Sequence, residues 1–159
     1  MYSSAHAVNR RTFLGGLGAA VGLGILGTAN GLAAAPTARD KFLQAVQSRL
    51  GCPYVFGAEG PNEFDCSGLV YWAWKQAGVT VSRTADAQYR SATRLTAAQL
   101  KPSDSVFFVN SSGVAKHTLI YAGAGKYYQA SALYSEPDGV VYCAMPAYSG
   151  TIAYGRLVK

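Results

Sequence analysis

Histidine is scarce in this chain of 159 residues, which contains only His6 and His117. Only three cysteines are present, and no two of them stand in the C-x-x-C spacing that common zinc sites use. A set of potential ligands this small and dispersed argues against zinc, so we expect no metal and no other cofactor. Any chemistry that needs a cysteine and an imidazole must come from these few side chains.

Charged residues are also few, and 14 basic against 8 acidic side chains leave a formal net charge of +6. The basic residues are scattered and form no run interleaved with aromatic residues, which argues against a nucleic-acid-binding surface. A weak positive balance favours association with anionic polymers, although an ordinary solvated surface is the simpler explanation.

The first 35 residues contain no acidic residue, and no charge occurs between Gly15 and Ala35. The segment 9–14, N-R-R-T-F-L, has the two adjacent arginines, the spacer and the Phe-Leu of a twin-arginine export signal. The apolar stretch is rich in Gly and Ala rather than in Leu, Ile and Phe, which favours a removable signal over a stable membrane span. We therefore predict a signal peptide over residues 1–35, with an uncleaved anchor or a general export signal as the alternatives.

Residues 36–159 contain no internal repeat and no low-complexity linker, so we expect one exported domain that is monomeric and not stably inserted in a membrane. Its net charge is +4, because Arg10 and Arg11 leave with the signal. Three cysteines leave at least one free thiol. Cys52 and Cys143 can pair or stay reduced, and their apolar neighbours favour two small buried side chains over a disulfide.

Three helices are predicted in the first half of this domain. Thr37, with Asp40 three residues later, forms a capping-box pattern. The helix that follows is predicted to end at Gly51 and has an apolar face at helical spacing, built from Phe42, Leu43, Val46 and Leu50. A second helix is predicted over residues 66–77, and a short third one over residues 85–90.

The hydrophobic pattern changes near residue 103, beyond which β-branched and aromatic runs are separated by Gly, Ser, Asn and Pro. Residues 122–125 are predicted to form a hairpin turn. Helices followed by strands indicate an α+β domain in which the N-terminal helices pack on an antiparallel β-sheet. Five strands are predicted, over residues 105–109, 118–121, 126–130, 140–142 and 152–158.

Cys66 lies where a loop is predicted to end and the second helix to begin. The free N–H groups and the positive dipole end of a helix N-terminus favour the thiolate, which is the reactive form of cysteine. Because His6 falls in the predicted signal, His117 is the one imidazole that the mature domain offers as a partner. The pattern predicts a nucleophilic Cys66, and a buried inert cysteine is the alternative.

Five motifs follow one another through the domain: G-C-P-Y-V-F-G at 51–57, F-D-C-S-G-L-V at 64–70, L-K-P-S-D-S-V-F-F at 100–108, H-T-L-I-Y-A-G at 117–123 and Y-Y-Q-A-S at 127–131. Taken together, they make the chain from about Phe42 to Arg156 resemble the NlpC/P60 cysteine peptidases. These are papain-like enzymes that cut bacterial cell-wall peptides. The resemblance implies the papain-like NlpC/P60 fold, with the nucleophile at a helix N-terminus.

The resemblance also implies a role for each residue of the active site. Cys66 would be the nucleophile and His117 its partner, while Gln129 would hold the other imidazole N–H, as Asn does in papain-like proteases. Many family members have His at this third position. The Tyr54 hydroxyl would lie near the thiolate, and the backbone N–H of Cys66 would meet the oxyanion. A core tyrosine and an exposed strand glutamine are the alternatives for Tyr54 and Gln129.

By the same resemblance, Asp65, Ser82 and Arg83 match positions that bind the substrate stem peptide, with Asp65 pairing with a free amine. Its position also makes Asp65 a helix N-cap, and Arg83 fits an ordinary surface charge. The chain departs from the family pattern at Ser103, where Gly is usual. It also departs at Leu119, whose bulk beside the histidine affects the shape of the cleft.

The resemblance therefore implies an exported hydrolase whose partners are peptidoglycan stem peptides. It would cleave the γ-D-glutamyl–diamino-acid bond through an acyl-enzyme on Cys66. An amidase acting on another amide bond, inside or outside the cell wall, is one alternative. A catalytically idle scaffold that binds stem peptides is the other.

Overall fold

The structure is a computed structural model that describes residues 34–134 and 138–159. The predicted signal peptide, residues 1–35, lies outside the described residues apart from its last two positions. Residues Ala34–Lys159 form one compact unit. In the described part of the chain, no helix is long and apolar enough to cross a membrane.

The first helix, α1 (Ala38–Gln47), begins at the capping box predicted from the sequence. Thr37 N–H donates to Asp40 Oδ2 over 2.8 Å and Asp40 N–H donates to Thr37 Oγ1 over 3.2 Å, so two otherwise free donors of the helix start are satisfied. The predicted end at Gly51 is wrong, because the helix gives way to hydrogen-bonded turns after Gln47. Leu50 consequently leaves the buried face and is 46% exposed.

The second helix, α2 (Cys66–Gln76), begins and ends close to its predicted bounds. Asp65 caps it, since its Oδ1 accepts a hydrogen bond from Gly68 N–H over 2.6 Å. The helix packs on α1, where the rings of Phe42 and Trp74 stack with centroids 4.2 Å apart. Burying a large apolar side chain contributes about 1.5–3 kcal/mol, so this contact anchors the C-terminal half of α2 against α1. The predicted short third helix is also present as α3 (Ala85–Ser91).

One antiparallel sheet follows, with the strand order β1-β6-β2-β3-β4-β5. In the described residues its strands are β1 (Thr93–Leu95), β2 (Ser105–Val109), β3 (Ala115–Gly123), β4 (Lys126–Ser131), β5 (Gly139–Ala144) and β6 (Thr151–Arg156). All except β1 were predicted, and the α+β architecture is confirmed. Because β1 has only three residues, it is too short to show an alternating pattern.

The two faces of the sheet carry separate apolar clusters. The face covered by α1 and α2 contributes Ile120, Tyr128, Ala130 and Val140 to the main core. The opposite face contributes Val106, Phe108, Leu119 and Tyr127. His117 lies on that second face, because it is two residues from Leu119 and successive side chains of a strand alternate. Leu119 is fully buried there, so its bulk is part of a core.

Candidate active site

Cys66 is the first residue of α2 and lies half-buried in the wall of a cavity of about 590 Å³, a volume within the usual range of ligand sites. The loop before the helix is held in place by a bridge between Tyr54 and Phe64. It is also held by Asp65 N–H, which donates to the carbonyl oxygen of Ala58 over 3.0 Å. The other lining residues include Phe56, Glu59, Asp65, Arg83 and Lys116.

The hairpin of β3 and β4 brings Gln129 to His117, twelve residues before it, as the resemblance implied. Gln129 Oε1 and His117 Nε2 lie 2.8 Å apart. Because an amide oxygen only accepts hydrogen bonds, this contact assigns the proton of the neutral ring to Nε2 and leaves Nδ1 with a free lone pair. The amide is held in this orientation because its Nε2 donates to the carbonyl oxygen of Tyr134 over 2.9 Å.

His117 is buried among aromatic rings. Its ring centroid is 4.9 Å from that of Tyr134 and 5.5 Å from that of Phe108, and only 5% of the residue is exposed. Burial lowers the pKa of His117 to about 4, and the hydrogen bond with Gln129 and the charge of Asp65 oppose this shift only in part. The imidazole is therefore neutral at neutral pH in this conformation.

The thiol of Cys66 also favours its neutral form. Burial raises its pKa above the usual value, and the charge of Asp65 acts in the same direction, while the backbone N–H groups of Thr118 and Ser67 act against them. Desolvation therefore opposes the thiolate that the helix start is predicted to favour. The hydrogen bond from Thr118 N–H also locates Sγ beside the residue that follows His117.

Tyr54 is half-buried and pairs with Phe64, two residues before Cys66. The pKa of its hydroxyl is raised, first by burial and then by the negative charges that Cys66 and Asp65 carry when ionised. The bridge with Phe64 thus places Tyr54 near Cys66, as the resemblance implied.

Asp65 and Arg83 form an ion pair beside Cys66, with Arg83 Nη2 2.7 Å from Asp65 Oδ2. Asp65 Oδ2 also accepts from Gly57 N–H over 3.0 Å, in addition to the helix cap. Arg83 also reaches Glu59, whose Oε1 is 3.0 Å from its Nε. Arg83 is therefore no ordinary surface charge. A substrate amine would share the Asp65 carboxylate with Arg83 and with the backbone N–H groups that already donate to it.

Ser82 lies outside the cavity of Cys66. It lines a separate depression with Val81 and Leu157, and its backbone carbonyl oxygen accepts from Gln88 Nε2 over 2.9 Å. The same Nε2 donates to the carbonyl oxygen of Ser67 over 3.0 Å, which ties the segment before α3 to the first turn of α2. Of the three residues expected to bind substrate, the structure brings Asp65 and Arg83 together and leaves Ser82 apart.

Three residues of the site were not identified from the sequence: Glu59, Lys116 and Tyr134. Glu59 acts through an ion pair with Arg83, and Tyr134 acts through its backbone carbonyl oxygen, which any residue type possesses. No sequence pattern marks such contacts. Lys116 stands directly before His117, so its position next to a predicted catalytic residue was the one available signal.

All three cysteines of the described domain are free thiols. Cys143 Sγ lies 3.5 Å from Gln129 Nε2, so it contacts the amide that holds the imidazole. Among the described residues, no group of three or more His, Cys, Asp or Glu side chains is arranged to hold a metal ion.

The fold is an α+β domain in which helices pack on an antiparallel sheet. Its candidate active site combines a cysteine at a helix start with an imidazole–amide pair on two neighbouring strands. Residues 51–140 match the model of the NlpC/P60 family, and the chain belongs to that family.

Two relatives and one solved structure illustrate the similarity. The chain is 42% identical over 96 residues to "Probable endopeptidase p60" of Listeria monocytogenes, covering 60% of this chain and 19% of that protein. It is 41% identical over 105 residues to "Gamma-DL-glutamyl hydrolase" of Bacillus subtilis, covering 63% of this chain and 25% of that protein. NlpC1 from Trichomonas vaginalis superposes with a TM-score of 0.67 at 28% identity, covering 79% of this chain and 45% of that one. The chain thus spans less than half the length of each.

Proposed function

We propose that this protein is an exported cysteine peptidase that hydrolyses peptidoglycan stem peptides at the γ-D-glutamyl–diamino-acid bond. Membership of the NlpC/P60 family supports the class, and the similarity to a gamma-DL-glutamyl hydrolase supports the bond. The observation that carries the proposal is the 2.8 Å contact between His117 and Gln129, together with the hydrogen bond from the backbone N–H of the adjacent Thr118 to Cys66 at the start of α2.

The neutral thiol and imidazole define the first step of the proposed mechanism. His117 Nδ1 takes the proton of Cys66 Sγ as the sulfur attacks the scissile carbonyl carbon. An S–C bond forms, and the carbonyl oxygen becomes an oxyanion that the backbone N–H of Cys66 stabilises, with the Tyr54 hydroxyl close by. Gln129 Oε1 stabilises the imidazolium by accepting its Nε2–H.

Collapse of this intermediate breaks the C–N bond, and the leaving amine takes the proton from His117 Nδ1. The acyl group then remains on Cys66 as a thioester. Water attacks the thioester after giving a proton to Nδ1, and the thiolate leaves and recovers that proton. The proton of Cys66 thus leaves with the amine and a proton of water replaces it, so the thiol and the neutral imidazole are regenerated with water as the only co-reactant.

In this proposal the signal peptide of residues 1–35 directs a monomeric catalytic domain, residues 36–159, to the periplasm or the cell wall. Asp65 and Arg83 contact the stem peptide from the wall of the cavity. Ser82 lies outside this cavity, so in this proposal it positions its neighbour Arg83 and does not contact the stem peptide itself.

Digestion of purified peptidoglycan tests the proposal. The purified protein is incubated with sacculi beside Cys66→Ala and His117→Ala variants, and products are identified by mass spectrometry. New γ-D-glutamyl fragments released by the unchanged protein alone would support the proposal. Equal product profiles from all three proteins, each shown to be folded by circular dichroism, would contradict it and favour the binding scaffold. Fragments from a different bond would favour another amidase.

A further inference from the structure

A β-bulge lies directly before His117. His117 pairs with Phe108 on β2, but the next pair along the strands is Ala115 with Val109, so Lys116 is the extra residue. The N–H of Ala115 donates to Asp86 Oδ1 over 3.1 Å, which ties this part of β3 to α3. Bulges of this kind re-aim a side chain next to an active site. Here the re-aimed side chain is exposed and lines the cavity of Cys66.

The other charged groups of this cavity are already paired. Arg83 lies between the carboxylates of Asp65 and Glu59. Asp86 is paired with Arg90, whose Nε is 2.6 Å from its Oδ2. The pKa of Asp86 is lowered mainly by that contact and by Ala115 N–H, and only weakly by the charge of Lys116.

Lys116 is therefore the cation of the cavity wall that forms no salt bridge with any described residue. An ammonium group in this position, on the strand that also carries His117, is available to a negative group of a bound molecule. A hydrogen bond from this ammonium group to a carboxylate is charge-assisted, and such bonds are stronger than those between neutral groups.

We propose that Lys116 binds a free carboxylate of the substrate next to the scissile bond, a role that rests on the proposed function. A glutamyl residue joined through its γ-carboxyl group keeps its α-carboxylate free on Cα, at the other end of the short chain that carries the scissile carbonyl. Where the diamino acid that follows is itself dicarboxylic, its side-chain carboxylate offers the same chemistry. Lys116 thereby favours substrates whose carboxylate is free over those in which it is amidated.

Three synthetic γ-D-glutamyl–diamino-acid peptides test this role. One has both carboxylates free, one has the glutamyl α-carboxylate amidated, and one has the side-chain carboxylate of the diamino acid amidated. Lys116→Gln is expected to raise KM for the first peptide about fivefold to tenfold, with kcat nearly unchanged. The effect should disappear for the peptide whose relevant carboxylate is amidated, which identifies the source of the charge.

Two further variants complete the test. Lys116→Arg keeps the charge and should retain a KM within about threefold of the unchanged protein. Lys126→Gln removes an exposed lysine at the start of β4, outside the cavity, and should leave KM unchanged. A change of less than twofold with Lys116→Gln, or an equal change for all three peptides, would overturn the inference.

Binding separates this inference from the proposed function. In protein inactivated by Cys66→Ala, adding Lys116→Gln should weaken calorimetric binding of the first peptide about fivefold to tenfold. If the unchanged protein cleaves none of the peptides, the proposed function fails while this measurement still decides the role of Lys116. Equal affinities with and without Lys116→Gln would reject that role.

Discussion

A single amide decides which nitrogen of His117 is available to Cys66. Gln129 Nε2 donates to the carbonyl oxygen of Tyr134, so Oε1 must face the ring. The contact stabilises the imidazolium through a dipole, which is weaker than the full charge of a carboxylate. Burial therefore prevails and lowers the pKa of His117 to about 4.

Replacing this amide by a carboxylate should raise the pKa of His117. Catalysis needs the neutral ring as a base, so kcat/KM should fall as pH drops through the pKa of His117, at about pH 4 in the unchanged protein. In Gln129→Glu a negative charge stabilises the imidazolium. The acid limb of the profile, which is the fall of kcat/KM at low pH, should therefore move upward by about 1–2 pH units. Gln129→Asn should lower the rate and leave the limb in place. An unmoved limb in Gln129→Glu would contradict the assignment of His117 as the base.

Ser103 has a backbone conformation that glycine adopts more easily. Its φ is +80°, it is 3% exposed, and its Oγ is buried without a hydrogen-bond partner among the described residues. Ser103→Gly removes both the left-handed strain and the unpaired hydroxyl, at the cost of greater freedom in the unfolded chain. We expect a gain of about 1 kcal/mol in the free energy of unfolding, seen as a Tm rise of about 3–5 °C.

Ser103→Ala is the matched control, because it removes the hydroxyl but keeps a Cβ at positive φ. It should stabilise the protein less than Ser103→Gly does. If Ser103→Ala proved the more stable of the two, backbone strain at this position would be ruled out.

At the scale of elements, the first turn of α2 and the loop before it fit together without spare room. A Cβ at Gly68 would overlap the carbonyl oxygen of Ala58. That oxygen cannot easily move away, because it accepts from Asp65 N–H over 3.0 Å and from Arg83 Nη2 over 3.1 Å. Glycine at this position therefore allows the loop to approach the helix that carries Cys66.

Gly68→Ala should push this loop outward and disturb the Asp65–Arg83 pair. Overpacking of this kind costs about 1–3 kcal/mol, so urea unfolding should show a loss of that size together with a large loss of activity. Gly78→Ala provides a control, because Gly78 has a φ of +81° but open space around a Cβ. It should lower stability by about 1 kcal/mol and leave activity intact. Normal activity in Gly68→Ala would contradict the close approach.

At the scale of the whole molecule, Asp104 joins segments from the two ends of the domain. Arg156 of β6 contacts both of its carboxylate oxygens, at 2.9 and 2.7 Å, and Arg39 of α1 contacts Oδ1. Lys101 N–H adds a hydrogen bond of 2.8 Å. The side chain of Asp104 is only 1% exposed, so these contacts replace its hydration.

Asp104 should make the protein sensitive to acid. Burial by itself raises its pKa, but the hydrogen bonds from Arg156, Lys101 N–H and Arg39 outweigh burial and hold the pKa below its usual value. Its stabilising contribution is therefore present above the unfolded-state pKa of about 3.9 and is lost as pH falls through the folded value. Asp104→Asn should cost about 2–3 kcal/mol at pH 7 and show a smaller further loss between pH 5 and pH 3.

Urea unfolding across this pH range measures both effects. Glu63→Gln, at an exposed loop residue, serves as the control and should leave the free energy of unfolding close to that of the unchanged protein. If Asp104→Asn kept the full pH dependence of the unchanged protein, another carboxylate would have to be responsible for it.

Local features of this protein could be predicted from its sequence because they depend on neighbours a few residues apart. The capping box of Thr37 and Asp40 and the Asp65 cap of α2 follow from patterns three residues long. The meeting of His117 and Gln129 follows from one hairpin, whose turn needs the left-handed backbone of residues 124–125. The sequence by itself thus determined the α+β class, the helix that carries Cys66 and the imidazole–amide pair.

Tertiary structure decided what depends on segments distant in the sequence. Desolvation of Cys66 comes from the packing of α2 against the sheet, and that of His117 comes from the rings of Phe108 and Tyr134. In both cases burial favours the neutral form, which opposes the effect of the helix dipole on the thiol. The ion pairs of Arg83 and the bulge at Lys116 arise where α2, α3 and β3 meet. These contacts could not be predicted from local sequence patterns, because burial and strand register are properties of the folded chain as a whole.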